Sequence, residues 1–155
     1  MLGPMEPALV QSLQARRPHI RARWQELLRA APANSPLANP DLLDHLLEPT
    51  LNDVLGLLGT PPAKAVVARA HDSEPIRTVC GCGRNPLLDY FAAGEQALIE
   101  ALVAAQAGPA APNFATRNTA VAELYLAVRT IAQLEVEAFC SLCQHRPTPA
   151  ATAAG

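Results

Sequence analysis

Three prolines that directly follow a helix-capping residue constrain the fold of this chain most strongly. The pairs are Asn39-Pro40, Thr60-Pro61 and Asn85-Pro86. An Asn or Thr side chain can accept a hydrogen bond from the unpaired N–H groups at a helix start, and Pro fits the first turn because its missing N–H is not needed there. The chain has 15 prolines among 155 residues, and at these positions they indicate helix starts rather than disorder.

Apolar residues recur at spacings of three and four along most of the chain, as they do on one face of an α-helix. Such stripes occupy residues 40–58, 86–106 and 114–144, and a fourth near the amino terminus is interrupted around Pro18. A short helix over 61–70 is also expected. The stripe residues are Leu9, Leu13, Ile20, Trp24, Leu27, Leu28, Leu43, Leu46, Leu47, Val54, Leu57, Leu58, Leu87, Phe91, Gly94, Leu98, Leu102, Val121, Leu124, Val128, Ile131, Ala138 and Leu142.

These patterns predict an all-α protein, a bundle of four to five helices with a cysteine-rich loop. The sequence shows no convincing strand alternation and few β-branched runs. The length suits one domain, which we expect over residues 1–145. The final residues 146–155, "RPTPAATAAG", contain two Pro and no large apolar residue, and we expect them to form a disordered tail.

The charges suggest contacts between helices. The first helical region carries Arg16, Arg17, Arg21, Arg23 and Arg29, and the second carries Asp41, Asp44, Glu48 and Asp53. We interpret them as a basic helix packed against an acidic one. A net charge of −2 gives no general attraction to nucleic acid, so no nucleic-acid partner is expected.

The apolar stretches are too short for a membrane span, which needs roughly 20 residues, so no membrane partner is expected. The opening residues "MLGPMEPALVQSLQ" lack the basic flank and apolar run of a signal peptide. We therefore expect a cytoplasmic protein. Stable disulfides are uncommon in that compartment, and clustered cysteines there more often bind metal or carry out redox chemistry.

All four cysteines fall into two close pairs, Cys80 with Cys82 and Cys140 with Cys143. The first pair precedes the helix that starts at Pro86, and the second ends the last long helix. If those two helices are antiparallel, the pairs meet at one end of the bundle. Four thiolates can hold a structural zinc ion, or alternatively an iron–sulfur cluster. The sequence thus predicts one metal site made of Cys80, Cys82, Cys140 and Cys143.

Other uses of the cysteines stay open, namely one or two disulfides or unrelated thiols. A c-type haem is disfavoured because Gln144 separates the second pair from His145, and a thioredoxin-like site is disfavoured because no strands are expected. No phosphate loop, nucleophile elbow or dinucleotide motif is present, so the sequence favours a protein that is not an enzyme. We interpret His19, His45 and His71 as surface or helix-flanking residues, and Trp24, Gly94 and Tyr125 as packing residues.

The segments "RRPHIRARWQELL" and "SPLANPDLLDHLLEPTLNDVLGLL" resemble the N-terminal helical sensor domains of stressosome-type regulators. The resemblance covers about the first 60 residues. Those domains have no paired cysteines and usually precede a second domain. The resemblance implies a signalling or regulatory helical module and carries over no catalytic residues.

Together these observations predict a metal-binding regulatory or sensor module that acts through a protein partner. A structural alternative is a bundle that zinc only stabilises. A homodimer is also expected, because a small Ala-rich bundle can leave an apolar face uncovered.

Overall fold

The computed structural model describes residues 5–30, 41–59, 85–108 and 112–141. These residues form helices and short connections with no strand among them, which confirms the all-α prediction. The helices are α1 (Pro7–Ala15), α2 (Arg17–Arg29), α3 (Asp41–Asp44), α4 (Leu47–Gly59), α5 (Pro86–Gln106) and α6 (Phe114–Ser141).

Several expectations concern other parts of the chain. The helix over 61–70, the cysteine-rich loop, the domain boundary at 145 and the tail over 146–155 lie outside the described residues. The capping residues Asn39 and Thr60 also lie outside them. They stay predictions.

The expected interruption near Pro18 is confirmed at Arg16, the single residue between α1 and α2. The Arg16 N–H closes α1 by donating to the carbonyls of Ser12 and Leu13, at 3.2 and 3.1 Å. Pro18 lies in the first turn of α2, where it needs no N–H partner. In one continuous helix Pro18 could not donate to the carbonyl four residues earlier and its ring would clash there, so the chain starts a new helix.

Helices α5 and α6 form an antiparallel pair, and three side-chain contacts along its length define the register. At one end, Gln106 Nε2 donates to the Arg117 carbonyl at 3.3 Å. In the middle, Arg129 Nε lies 3.6 Å from a Glu95 carboxylate oxygen. At the other end, Asn85 Nδ2 donates to the Val136 carbonyl at 3.3 Å. The start of α5 therefore lies beside the end of α6.

A cluster of three residues at the centre of the bundle, Trp24, Tyr90 and Thr50, joins α2, α4 and α5; we call it the aromatic centre. The rings of Trp24 and Tyr90 are 4.8 Å apart, and Trp24 Nε1 donates to the Tyr90 carbonyl at 3.0 Å. Thr50 donates its hydroxyl proton to the Leu46 carbonyl at 2.8 Å. Tyr90 Oη therefore donates to Thr50 Oγ1, which lies 3.0 Å away.

Gly94 allows Trp24 to lie directly on the backbone of α5. A Cβ atom at Gly94 would lie 2.2 Å from Trp24 Cζ2, far inside van der Waals contact. Trp24 is 1% exposed. The interpretation of Trp24 and Gly94 as packing residues is confirmed, and Tyr125 is half-buried, with the Arg129 guanidinium 5.2 Å from its ring centre.

The expected packing of a basic helix against an acidic one is confirmed by ion pairs between α2 and the α3–α4 segment. Arg21 lies 3.3 Å from a Glu48 carboxylate oxygen and 3.8 Å from one of Asp44. Arg17 also pairs with Glu48, at 3.8 Å. Partly exposed pairs of this kind each contribute little stability, so they orient the helices more than they hold them together.

The stripe predicted for α6 is wrong at Ala138, which is exposed. The buried row instead advances in steps of four residues; it comprises Ala120, Leu124, Val128, Ala132, Val136 and the half-buried Cys140. Four residues turn an α-helix by about 400°, so this row winds around α6 by about 40° per step. Because α6 packs against both α4 and α5, its buried face shifts along its length. Val121 and Ile131 are half-buried, and Leu142 lies outside the described residues.

Candidate functional site

Of the four cysteines predicted to share a metal, the structure describes only Cys140. Cys80, Cys82 and Cys143 lie outside the described residues, so the convergence of the two pairs stays a prediction. Within the described ranges, no three or more His, Cys, Asp or Glu side chains are grouped as metal ligands. Cys140 lies in the last turn of α6, where it packs against the core.

The predicted cap at Asn85 is confirmed. Its backbone is extended (φ −74°, ψ 109°), and its Oδ1 accepts a hydrogen bond from the Leu87 N–H at 3.0 Å. Pro86 follows as the first helical residue. The sequence pair Asn-Pro therefore forms the start of α5 as the pattern predicts.

The remaining polar atom of the Asn85 side chain contacts the end of α6. Nδ2 donates to the Val136 carbonyl at 3.3 Å and to Cys140 Sγ at 3.2 Å. Because Oδ1 must face the Leu87 N–H, the amide can have only the orientation that turns its two N–H groups toward α6. We call the set Asn85, Val136 and Cys140 the Asn85 junction.

The chemistry of the Asn85 junction suits a thiolate. Asn85 is 3% exposed, so its amide is shielded from water and its hydrogen bonds are strengthened by the low surrounding polarity. The start of α5 also presents the positive end of a helix dipole. Both features complement the negative charge that a metal-bound cysteine sulfur carries.

Two of the four histidines lie within the described residues. His19 on α2 and His45 between α3 and α4 are both exposed, as expected for surface residues. His71 and His145 lie outside the described residues.

Glu123 is a buried carboxylate that sequence reasoning did not single out. It lies on α6 next to Leu124 in the buried part of the helix and is only 9% exposed. Burial raises the pKa of Glu123 above its ordinary value. Glu123 lies one turn from Ala120 and Ala127, which are both buried, and these small apolar residues were the available signal. A charged residue normally marks the solvent side of a helix.

No described helix combines the length and the apolar composition of a membrane span. No protein-family model, curated protein or solved structure matches the chain. The resemblance to stressosome-type sensor domains therefore stays an expectation.

Proposed function

We propose that this protein is a helical regulatory module that binds one metal ion through Cys80, Cys82, Cys140 and Cys143 and acts through a protein partner. Zinc is the proposed metal, since a closed site of four thiolates is a common structural zinc site. An iron–sulfur cluster is the alternative occupant.

The observation that carries this proposal is the contact between Asn85 and Cys140. Cys82 precedes Asn85 by three residues, and Cys143 follows Cys140 by three residues. Three residues of fully extended chain span at most about 11 Å. Both cysteine pairs are thus tethered closely to two residues whose side chains lie 3.2 Å apart, which supports a site shared between them.

Metal binding at such a site would be linked to folding. Its ligands come from the segment before α5 and from the end of α6, and unfolding would separate them. The free energy of binding would therefore add to the stability of the α5–α6 pair. Loss or oxidation of the ligands would loosen the same end of the bundle, and that change is the proposed regulatory signal.

Exposed apolar side chains near Cys140 support a partner surface. Leu134 is 58% exposed and Phe139 is 39% exposed, and both lie within the last eight residues of α6. Burial of such side chains drives protein association. The proposed partner includes a second copy of this chain. Light scattering at micromolar concentration would detect a homodimer, and a monomer mass there would exclude it.

The metal site is tested by elemental analysis and an absorption spectrum of the freshly purified protein, followed by substitution of its ligands. We expect about one zinc per chain. Cys82→Ser and Cys143→Ser should each remove the metal and lower the Tm, and the double variant should lose little more, because either change opens the same site. Ser141→Ala is a matched control at the end of α6 and should retain the metal.

The alternatives give different results. Disulfides predict missing free thiols with no metal, and a metal-free reduced protein with four reactive thiols would overturn the proposal. A coloured protein would identify an iron–sulfur cluster. A zinc ion that neither chelator nor oxidant removes from the folded protein would favour the purely structural role over the regulatory one.

A further inference from the structure

We infer that the carboxyl-terminal half of α6 carries a docking surface for a basic amphipathic helix of another protein. The surface is a stripe of four apolar residues, which we call the outer stripe: Ala127, Ile131, Leu134 and Ala138. The inference rests on the protein-partner part of the proposed function, because it names the kind of partner. It does not depend on the proposed metal.

The outer stripe has the spacing of a coiled-coil seam. Its residues are separated by four, three and four positions, which are the separations of the a and d positions of a heptad. Ala127 is buried, Ile131 is half-buried, and Leu134 and Ala138 are exposed. The stripe therefore begins in the core and continues onto the surface, because the buried row of α6 winds away from it.

The opposite side of the same part of α6 is covered by the bundle. Ala132 and Val136 are buried there, and Cys140 is half-buried against the core. This part of α6 thus has apolar residues on two sides. A helix at the surface of a globular protein normally presents polar residues to water, so packing of the bundle accounts for the inner side but not for the outer stripe.

Two glutamates give the edges of the outer stripe a negative charge. Glu135 follows Leu134 at position e and Glu137 lies at position g, the positions whose charges set the choice of partner in coiled coils. Both are exposed, and neither forms an ion pair with a described residue; Glu137 accepts a hydrogen bond from Gln133 Nε2 at 3.1 Å. No basic residue occurs at positions 130–141. A complementary partner therefore presents Lys or Arg beside its own apolar seam.

A second copy of this chain does not complement the outer stripe. In an antiparallel pair of α6 helices, Glu135 and Glu137 would each face the same residue of the other copy, and like charges across an interface weaken association. In a parallel pair, Glu135 would face Thr130, which is uncharged. A basic helix supplies an opposite charge to each glutamate. A homodimer through another face is a separate proposal.

The probe for this surface is a fluorescently labelled synthetic helix of three heptads, with Ile at a, Leu at d and Lys at e and g. Its lysines repel one another, so it does not pair with itself. Anisotropy titration with the full chain should show binding that weakens as the salt concentration rises. A companion peptide with Glu at e and g should not bind.

Leu134→Ser tests the apolar contact. It should weaken binding of the Lys peptide by about 10-fold, because Leu134 is 58% exposed in the free protein and the partner would bury it. Val103→Ser is the matched control, since Val103 on α5 is similarly exposed at 55%, and it should leave the affinity unchanged.

The double variant Glu135→Gln with Glu137→Gln tests the charged edges. It should weaken binding of the Lys peptide by about 2–10-fold, as expected for two exposed ion pairs. The matched control is Glu26→Gln with Asp53→Asn, which removes the same charge from two exposed positions elsewhere. Because salt screens distant charges, the control should change the affinity by less than about 2-fold.

The wild-type protein gives a test that needs no variant. Backbone amide resonances at positions 131–138 should shift most when the Lys peptide is added. Shifts centred elsewhere, or equal binding of the Lys and Glu peptides, would overturn the inference. A wild-type dimer that Leu134→Ser converts to a monomer would also overturn it, because the stripe would then belong to a second copy.

Metal content separates this inference from the metal site. A metal-free protein that binds the Lys peptide through the outer stripe would support the docking surface and reject the metal site. A zinc-containing protein that does not bind the peptide would reject the docking surface and leave the metal site standing.

Discussion

Two buried polar centres lie five residues apart on α5, and they differ in what surrounds them. The aromatic centre is enclosed by α2, α4 and α5, and the Tyr90 hydroxyl and the Trp24 N–H are both bonded inside the protein. The Asn85 junction lies at the end of the α5–α6 pair and includes a sulfur, a group that can be ionised, oxidised or bound to metal. Polar groups that are enclosed and fully hydrogen-bonded stabilise the fold. A junction that includes a cysteine sulfur can in addition change with oxidation or metal binding.

Because of this difference, we expect substitutions in the two centres to have different effects on the free energy of unfolding and on binding of the proposed metal. Substitutions in the aromatic centre should change the free energy of unfolding in the absence of any metal. Substitutions in the Asn85 junction should also change stability, because Asn85 caps α5, and under the proposed metal site substitution of Cys140 should in addition lower metal affinity.

The titration of the Tyr90 hydroxyl should be visible in the pH dependence of the free energy of unfolding. Burial raises the pKa of Tyr90 to about 12, from 10.0 in the unfolded chain. Between these two pKa values the folded state keeps a proton that the unfolded chain loses. The stabilisation that results from this difference is fully present below pH 10 and is lost as the pH rises through 12. Two units correspond to roughly 2–3 kcal/mol. Urea unfolding at pH values from about 9 to about 12 should show this loss.

The matched variants for this prediction are Tyr90→Phe and Tyr125→Phe. The first should remove most of the alkaline loss, and the second should retain it, because Tyr90 is still present in the second variant. Equal alkaline profiles for the wild type and Tyr90→Phe would contradict the assignment.

Gly94→Ala should lower the free energy of unfolding by about 2 kcal/mol. Overpacking costs about 1–3 kcal/mol, the contact with Trp24 is severe, and the better helix propensity of Ala returns about 1 kcal/mol. Gly56→Ala is the control, since a Cβ there meets nothing within 4 Å. It should raise stability by up to about 1 kcal/mol. Urea unfolding that gives both variants the same sign would show that Trp24 does not pack on Gly94.

Glu123→Gln should give the smallest effect, a rise in Tm at neutral pH. Because burial raises the pKa of Glu123, the folded state holds its proton more tightly than the unfolded chain, and stability falls as pH rises through the folded pKa. The Gln side chain of the variant does not ionise, so the variant does not show this loss of stability. The exposed Glu137→Gln is the control and should change stability by less than about 0.5 kcal/mol. A Tm gain that is equally large in acid, at about pH 4, and at neutral pH would mean that ionisation of Glu123 is not the cause.

Local pattern was enough to predict much of the fold. The Asn85-Pro86 pair predicted the start of α5 because capping and the missing proline N–H act within one turn of chain. The stripe of Leu87, Phe91, Gly94, Leu98 and Leu102 is buried throughout. The break near Pro18 followed from the same local sterics. For the metal site, the sequence supplied the pairing of the four cysteines and the hypothesis of antiparallel helices.

Only the tertiary structure decided which groups meet across helices. Tyr90 is off the predicted stripe yet fully buried, because α5 packs against α1, α2 and α6 and so has more than one buried side. The exposure of Ala138 follows from the winding contact row of α6, whereas Glu123 is buried although it lies off that row. The contact between Asn85 and Cys140 joins residues 55 positions apart. Periodicity along one helix determines which side is apolar, but the angle and register between helices depend on the packing of all the side chains at their interface.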